Sequence, residues 1–428
     1  MWTLFKRSLP LQLLFAAITA WLLAAVIPSS WVIGSDWYSV VLLAKTTYIG
    51  LLKMVVGIVV MLSLLQGITN IGSTLKLKTL GLRTILFYSL TSLIAIALGL
   101  SAALSMPEWT PIVVPDQLGE SVNLISSKSA TGSAIASKLL NMALVNPVAA
   151  LSSGNLLATV VFSILFGIAL LSALPKQHPI FEVISGLNLA VNKLVYQIIR
   201  LAPLAVFSIV FEFSVTGTGS LFSQLAMFAL LVFVLTLIHG AIVLPMLAKL
   251  LTGVSIRQLF KSISAPLLMA FTTSSSSATL PLSMQVAEEK LGVSQSTSSL
   301  VLPLGAVMNM DGTALFEGVA AIFLAQLFGI DLTTTGLIMI FIMAMVSSVG
   351  APGMPSGSMS GMQLVLLAAG IPLEAIAILL IIERPLDTFR TAVNVEGDLI
   401  AALVVDKWQP SSNIEAVAKT ATFNKAVS

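Results

Sequence analysis

Apolar runs long enough to cross a lipid bilayer recur along the first 250 residues, near 10–28, 40–70, 82–105, 142–174, 189–214 and 222–250. A span needs about 20 mostly apolar residues. Its backbone polar groups must bond within the span, which makes each run a helix. The remaining residues supply no water-facing shell: 9% of the 428 are charged and 57% are hydrophobic, where a soluble domain carries about 25% charged residues. The sequence therefore predicts an all-α polytopic membrane protein, a single integral domain over residues 1–428. There is no cysteine, so disulfides, thiolate catalysis and Cys-based metal sites are excluded. Two histidines, His178 and His239, are too few for a His-rich metal centre. A lone His in a membrane segment reads first as a packed or hydrogen-bonded core residue. The first run follows Lys6 and Arg7 without an A-x-A cleavage site, and is expected to be a retained span.

Beyond residue 250 the pattern changes. Segments near 258–290 and 334–370 are rich in Ser, Gly, Thr and Pro, with apolar stretches near 297–328 and 374–405 between and after them. Each of the two rich segments reads as broken in its middle. Basic residues mark every second loop: Lys6 and Arg7; Lys76, Lys78 and Arg83; Lys176; Lys249, Arg257 and Lys261; Lys407. By the positive-inside rule both termini face the cytoplasm, provided each broken segment enters and leaves on one side. Such segments are tolerated only where protein or water covers them, and paired broken segments point to a transporter's binding site. The loop 106–141 and the tail 408–428 carry no such signal.

Four clusters carry the chemistry. Thr272-Thr273-Ser274-Ser275-Ser276-Ser277 places six consecutive hydroxyls in an apolar hairpin. That suits a binding tip, and the plainer alternative is a flexible loop or a helix-packing surface. Asn309-Met310-Asp311-Gly312-Thr313 lies mid-span, where an aspartate is by default a functional group. Its hard oxygens suit a small cation, and the Gly would let the helix unwind. The plainer alternative, an Asp paired with a Lys or Arg, finds no such residue in the span. Residues 347–358 hold Gly and Pro at a density that prevents a continuous helix, baring carbonyls for ions or substrate. Lastly, Asp387, Arg390, Thr391, Asn394 and Asp398 recur at i, i+3, i+4, i+7 and i+11, one stripe of a helix. Asp387 suits a substrate ammonium, Arg390 a carboxylate held in a bidentate fork, and Asp398 a cation. An internal salt-bridge network, with Asp387 and Arg390 paired to each other, is the competing reading.

In this order and at these intervals, the clusters resemble the glutamate transporter family, the dicarboxylate/amino-acid:cation symporters. The likeness is strongest over 255–405 and collinear before it. It implies eight membrane helices, two re-entrant hairpins with inverted repeats, and a homotrimer. It also implies a scaffold mainly within 1–75 and 120–215, a transport core mainly within 76–105 and 220–405, and a cytoplasmic tail at 406–428. Matching motifs carry over substrate residues Ser275, Ser276, Thr313, Met354, Ser358, Asp387, Arg390, Thr391 and Asn394. Three cation sites carry over likewise: Asp398 with carbonyls of Gly305, Asn309 and Asn394; Asn309 and Asp311 with Tyr88, Thr91 and Ser92; and carbonyls of Ser348, Val349 and Ala351 with those of Val307 and Met310. The family arginine at position 390 favours an acidic substrate. Some relatives carry an arginine where this chain has Ser274, others one on the last helix; Arg384 here stands to fill that role or to pair with Glu383. Pro385, Ala351 and the sequence of residues 354–358 also depart from the usual pattern.

The reading is a secondary symporter for glutamate, aspartate or a dicarboxylate, coupled to Na+ by an elevator-type movement. Coupling to H+ through Glu317 or Glu383 is the alternative, as is a neutral amino acid or C4-dicarboxylate substrate. A cell (inner) membrane location is expected, with lipid, a small anionic substrate and cations as partners. No cofactor and no nucleic-acid partner are expected. A channel would require a continuous polar pore. An enzyme would require a base beside the serine run, and His239 lies in a different apolar span.

Overall fold

The computed structural model describes residues 9–69, 80–111, 137, 140–141, 143–153, 155–175, 177–216, 220–350, 357–372 and 375–409. Every regular element among them is helical. The principal helices are α1 (Leu9–Val26), α2 (Asp36–Thr69), α3 (Leu82–Ser105), α4 (Leu156–Ala173), α5 (Pro179–Ile199), α6 (Ala202–Val215), α7 (Ser220–Ile238) and α8 (Leu244–Thr252). They continue with α9 (Ile256–Thr273), α10 (Ser276–Glu289), α11 (Gln295–Met308), α12 (Asp311–Leu327), α13 (Thr334–Gly350), α14 (Ser358–Ala369) and α15 (Ile376–Lys407). Among the described residues, Asp36–Thr69, Leu82–Ser105, Leu221–Thr252 and Gln295–Leu327 are each long and apolar enough to cross a membrane. The bent pair α5–α6 makes a fifth crossing if counted as one span.

Local chemistry corrects three of the expected spans. The run 142–174 is not one helix: a short helix Pro147–Ser153 ends before Asn155, whose side chain accepts from the Ala158 N–H and starts α4 afresh. The run 189–214 bends by 41° between α5 and α6. Pro203 sits in the first turn of α6, where its missing N–H costs nothing. The stretch 297–328 is interrupted at Asn309 and Met310, whose φ of −120° and −127° leave the helical range. Gly312 is not the unwinding residue, because it lies inside the first turn of α12. By contrast α15 runs unbroken through Pro385.

Packing divides the helices into two groups. In one, α2 lies against α4, α5 and α6, and α6 against α1. In the other, α15 contacts α7 through α12, while α12 also packs on α3, α13 and α14. Helix α12 is the axis of this second group, with every residue buried except Gln326. No face of it is left for lipid, so polar side chains at its N-terminal end meet only other protein groups.

Candidate substrate and cation site

The serine run forms the turn of a helical hairpin. Helix α9 closes on Ser274, in the left-handed region at φ 50°. Ser275 then caps α10, its hydroxyl accepting from the Ala278 N–H at 3.1 Å. Ser275 and Ser276 are buried, and α9 and α10 both pack against α15. The second Gly/Pro segment separates two further helices, α13 and α14, which pack on each other and on α12. Ala351 and Met354 lie outside the described residues.

The break between α11 and α12 meets the middle of α15 and α3. Asn309 donates from Nδ2 to Asp398 Oδ1 at 2.9 Å and lies 3.4 Å from the Asn394 carbonyl. Its own Oδ1 is buried with no partner among the described residues, a spare acceptor in the site. Asp311 accepts from Ser92 Oγ at 2.7 Å. The Tyr88 hydroxyl donates to the Val301 carbonyl at 3.0 Å, and Thr91 Oγ1 to the Tyr88 carbonyl at 3.1 Å. At Gly305 a Cβ would collide with both Asp398 and the Tyr88 hydroxyl, so glycine is what lets those groups approach the α11 backbone. Gly312 serves the same end against α15: a Cβ would stand 2.9 Å from the Arg390 carbonyl oxygen. The residues expected for the first two cation sites are thus assembled from three chain segments.

For the third set, Ser348 and Val349 line a cavity of ≈ 20 Å³ with Tyr88, Ser89, Ser92 and Met308, room for about one water-sized guest. Ser348 Oγ turns back to the Met345 carbonyl at 2.8 Å. Val307 presses its side chain on Gly67 of α2. Met310 is buried in the α11–α12 break, its sulfur 3.9 Å from Thr313 Oγ1.

The stripe on α15 faces this centre. Asn394 accepts from the Gly312 N–H at 2.8 Å and lies 3.4 Å from Thr313 Oγ1, while Thr391 is buried beside it. Arg390 is 0% exposed, its guanidinium 3.9 Å above the Phe316 ring. Nη2 bonds Glu383 Oε1 at 3.1 Å, Ser358 Oγ at 3.2 Å and Asp387 Oδ1 at 3.3 Å. Nη1 and Nε have no partner among the described residues. Arg384 reaches Asp387 at 3.2 Å. The internal network weighed against a recognition ladder is therefore present, yet its arginine keeps unused donors.

A family model described as the Sodium:dicarboxylate symporter family matches residues 9–408. The chain belongs to that family. Within this symporter family it is 34% identical over 418 residues to the proton/glutamate-aspartate symporter of Escherichia coli K12, covering 94% of this chain and 93% of the relative. It is 31% identical to the proton/sodium-glutamate symport protein of Bacillus subtilis 168, over 86% of this chain and 85% of the relative. It is also 36% identical to the neutral amino acid transporter B(0) of Oryctolagus cuniculus, over 82% and 70%. The symporter is accordingly a multi-pass membrane protein of amino-acid transport.

Reading the sequence missed one partner in the site. His239 lies in a π-helical turn, His239–Val243, between α7 and α8, and its Nε2 stands 3.2 Å from Asp311 Oδ2. The absence of Lys or Arg from the Asp311 span thus did not leave that aspartate without a basic neighbour, which comes from another helix. The signal was a single imidazole amid apolar residues, next to a glycine and six residues before Pro245. Wide turns of this kind favour functional positions. Glu396 is also buried, its carboxylate beside Gly240 of the same turn.

Proposed function

We propose that this symporter takes up glutamate, aspartate or a dicarboxylate together with Na+. The observation that carries the reading is Arg390: a fully buried guanidinium with unused donors, set among polar groups at the centre of an apolar assembly. A buried cation with spare N–H groups is stabilised by an anion that can form a fork with it. The relatives named for glutamate and aspartate transport support the same substrate class.

In this reading cations bind first, at the oxygens of Asp398, Asn309 and Asn394 and at Asp311 with Ser92. They fix the α11–α12 break, and with it Thr313. Substrate follows, its amino group near Asp387 and its distal carboxylate on Arg390. The second hairpin, α13–α14, closes through Ser358. Closure that requires both ligands couples the two fluxes. The helices packed on α12 and α15 then move as a loaded unit against the group α1, α2, α4, α5 and α6. The hairpins α9–α10 and α13–α14 are re-entrant, both termini are cytoplasmic, the membrane is the inner one, and three copies form the working assembly.

Proton coupling is a second reading with an observation behind it. Glu317 is wholly buried on α12, beside Ser347 and Gly361 of the second hairpin, and one relative is named for proton symport alone. Uptake of radiolabelled aspartate into proteoliposomes under an imposed Na+ or H+ gradient separates the two. Uptake that requires Na+ supports the sodium reading; uptake driven by H+ alone transfers coupling to the carboxylates. Arg390→Ala should lower aspartate uptake about 30-fold or more, the scale of losing one partner of a buried charge pair. Unchanged aspartate uptake in that variant would remove the assigned role of Arg390.

A further inference from the structure

We propose that Glu383 is a resident carboxylate partner of Arg390 that competes there with the carboxylate of the substrate. The inference rests on the reading that Arg390 receives that substrate group. A guanidinium presents paired N–H groups on two edges, Nε with Nη2 and Nη1 with Nη2; the third edge is blocked by Cδ. Both usable forks therefore include Nη2. In this structure Nη2 is the nitrogen already taken, by Glu383, Asp387 and Ser358, while Nε and Nη1 are the ones without a partner among the described residues. An incoming carboxylate finds single donors and no fork until Nη2 is released.

Of the two acids on Nη2, Glu383 is the competitor. Asp387 shares its charge with Arg384 at 3.2 Å, and it is the group read as meeting the substrate ammonium. Glu383 lies two helical turns before Arg390 on the same face of α15, and it is 1% exposed. It holds the shortest of the three contacts to Nη2. Phe316 covers one face of the guanidinium, so exchange of carboxylates has to occur in the plane of the nitrogens. Ser358, the first residue of α14, donates to Glu383 at 3.3 Å and accepts from Arg390. The resident pair thus also pins the second hairpin, and displacing Glu383 frees the hydroxyl that starts it.

A neutral amino acid has no distal carboxylate and does not compete for Nη2. Glu383 therefore sets the ratio of acidic to neutral substrate, which a merely structural acid would not. The test is uptake of labelled aspartate and labelled serine by the full-length protein in proteoliposomes, for wild type, E383Q, E383D, R390A and E383Q/R390A. E383Q is expected to lower the aspartate KM about tenfold and leave the serine KM within about twofold. E383D, whose carboxylate is drawn back by one methylene, should shift aspartate the same way by about threefold. On the R390A background E383Q should change nothing for aspartate. An aspartate KM that rises in E383Q overturns the inference, as does an equal change for both substrates. If E383Q does not survive purification, E383D decides, and a weakened or unaltered aspartate KM there overturns the inference. R390A keeps the two claims apart: aspartate uptake retained there defeats the role of Arg390, whereas aspartate lost there and weakened in E383Q defeats this inference alone.

Discussion

Both packing groups bury polar side chains among apolar helices, and they treat them differently. In the group built on α2, the Lys45 ammonium meets Glu212 of α6 at 2.5 Å. A chain of amides runs Ser63, Asn188, Gln66 and Ser185 between α2 and α5. Charge faces charge there, and what stays unpartnered among the described residues of α5 and α6 is neutral: Asn192 Oδ1, Ser208 Oγ and Ser214 Oγ. In the group built on α12 and α15 the clusters are richer and carry charge: among the described residues Asn309 Oδ1, Arg390 Nε and Nη1, and Glu396 Oε1 are buried without partners. A buried polar set that satisfies itself holds helices together; one with unused donors and acceptors awaits a ligand. The two groups differ in the charge of what is left over: neutral oxygens in the first, a guanidinium and a carboxylate in the second.

The largest expected effect breaks the closed side. Lys45→Met leaves Glu212 buried and uncompensated, at a cost of about 3–5 kcal/mol. In detergent-purified protein this should read as a loss of about 3–6 °C in Tm. The double variant K45M/E212L should recover most of that loss, and the folded fraction of either should bind aspartate with wild-type cation dependence. If K45M instead altered the cation dependence while keeping its Tm, the pair would belong with the open cluster and the comparison would fail.

On the open side the order reverses, with ligand effects outrunning stability. Asn309→Ala removes an unpartnered acceptor together with the donor to Asp398. The coupling cation should then be needed at about 30-fold higher concentration, the scale of about 2 kcal/mol for a bond to a charged group. The measurement is aspartate uptake against cation concentration, with Tm followed alongside. A fall in Tm without a change in cation dependence would make Asn309 a packing residue.

What could be read in advance follows the same divide. The stripe Asp387–Asp398 was legible because helix geometry alone puts i, i+3, i+4, i+7 and i+11 on one face. The serine run reads as a binding tip in a broken segment; the break is there, and Ser275 caps the helix that follows it, a role the run of hydroxyls does not announce. The site of the break at 309–310 was half legible: the polar cluster announced it, but glycine was credited with unwinding when it permits close approach to Arg390. Contacts that need the register of distant helices were out of reach. His239 and Asp311 are 72 residues apart and Lys45 and Glu212 are 167 apart, and no local pattern pairs them.

Gly312 tests the close approach directly. A methyl at that position falls 2.9 Å from the Arg390 carbonyl oxygen and 3.0 Å from its Cα, so Gly312→Ala must push α15 away or strain α12. Overpacking of this kind costs about 1–3 kcal/mol. Because the displaced residue is Arg390, the expected result is a several-fold higher KM for aspartate with a smaller change for serine. An equal loss for both substrates would mean that the helix shift is global and says nothing about the arginine.

The smallest effect belongs to the amide chain between α2 and α5. Ser63 Oγ donates to Asn188 Oδ1 at 3.3 Å, a long bond between neutral groups. Interhelical hydrogen bonds in membrane proteins average about 0.6 kcal/mol, because the unfolded chain in the bilayer also finds partners. Ser63→Ala should therefore cost about that much, less than about 1 °C in Tm, with cation dependence and the aspartate-to-serine ratio unchanged. The chain has other members, Gln66 and Ser185, through which Asn188 stays anchored after the hydroxyl is gone. A shift in either transport property with so small a change in stability would show that the α2–α5 contact takes part in the movement, and the line between a closed half and an open half would have to be redrawn through α2.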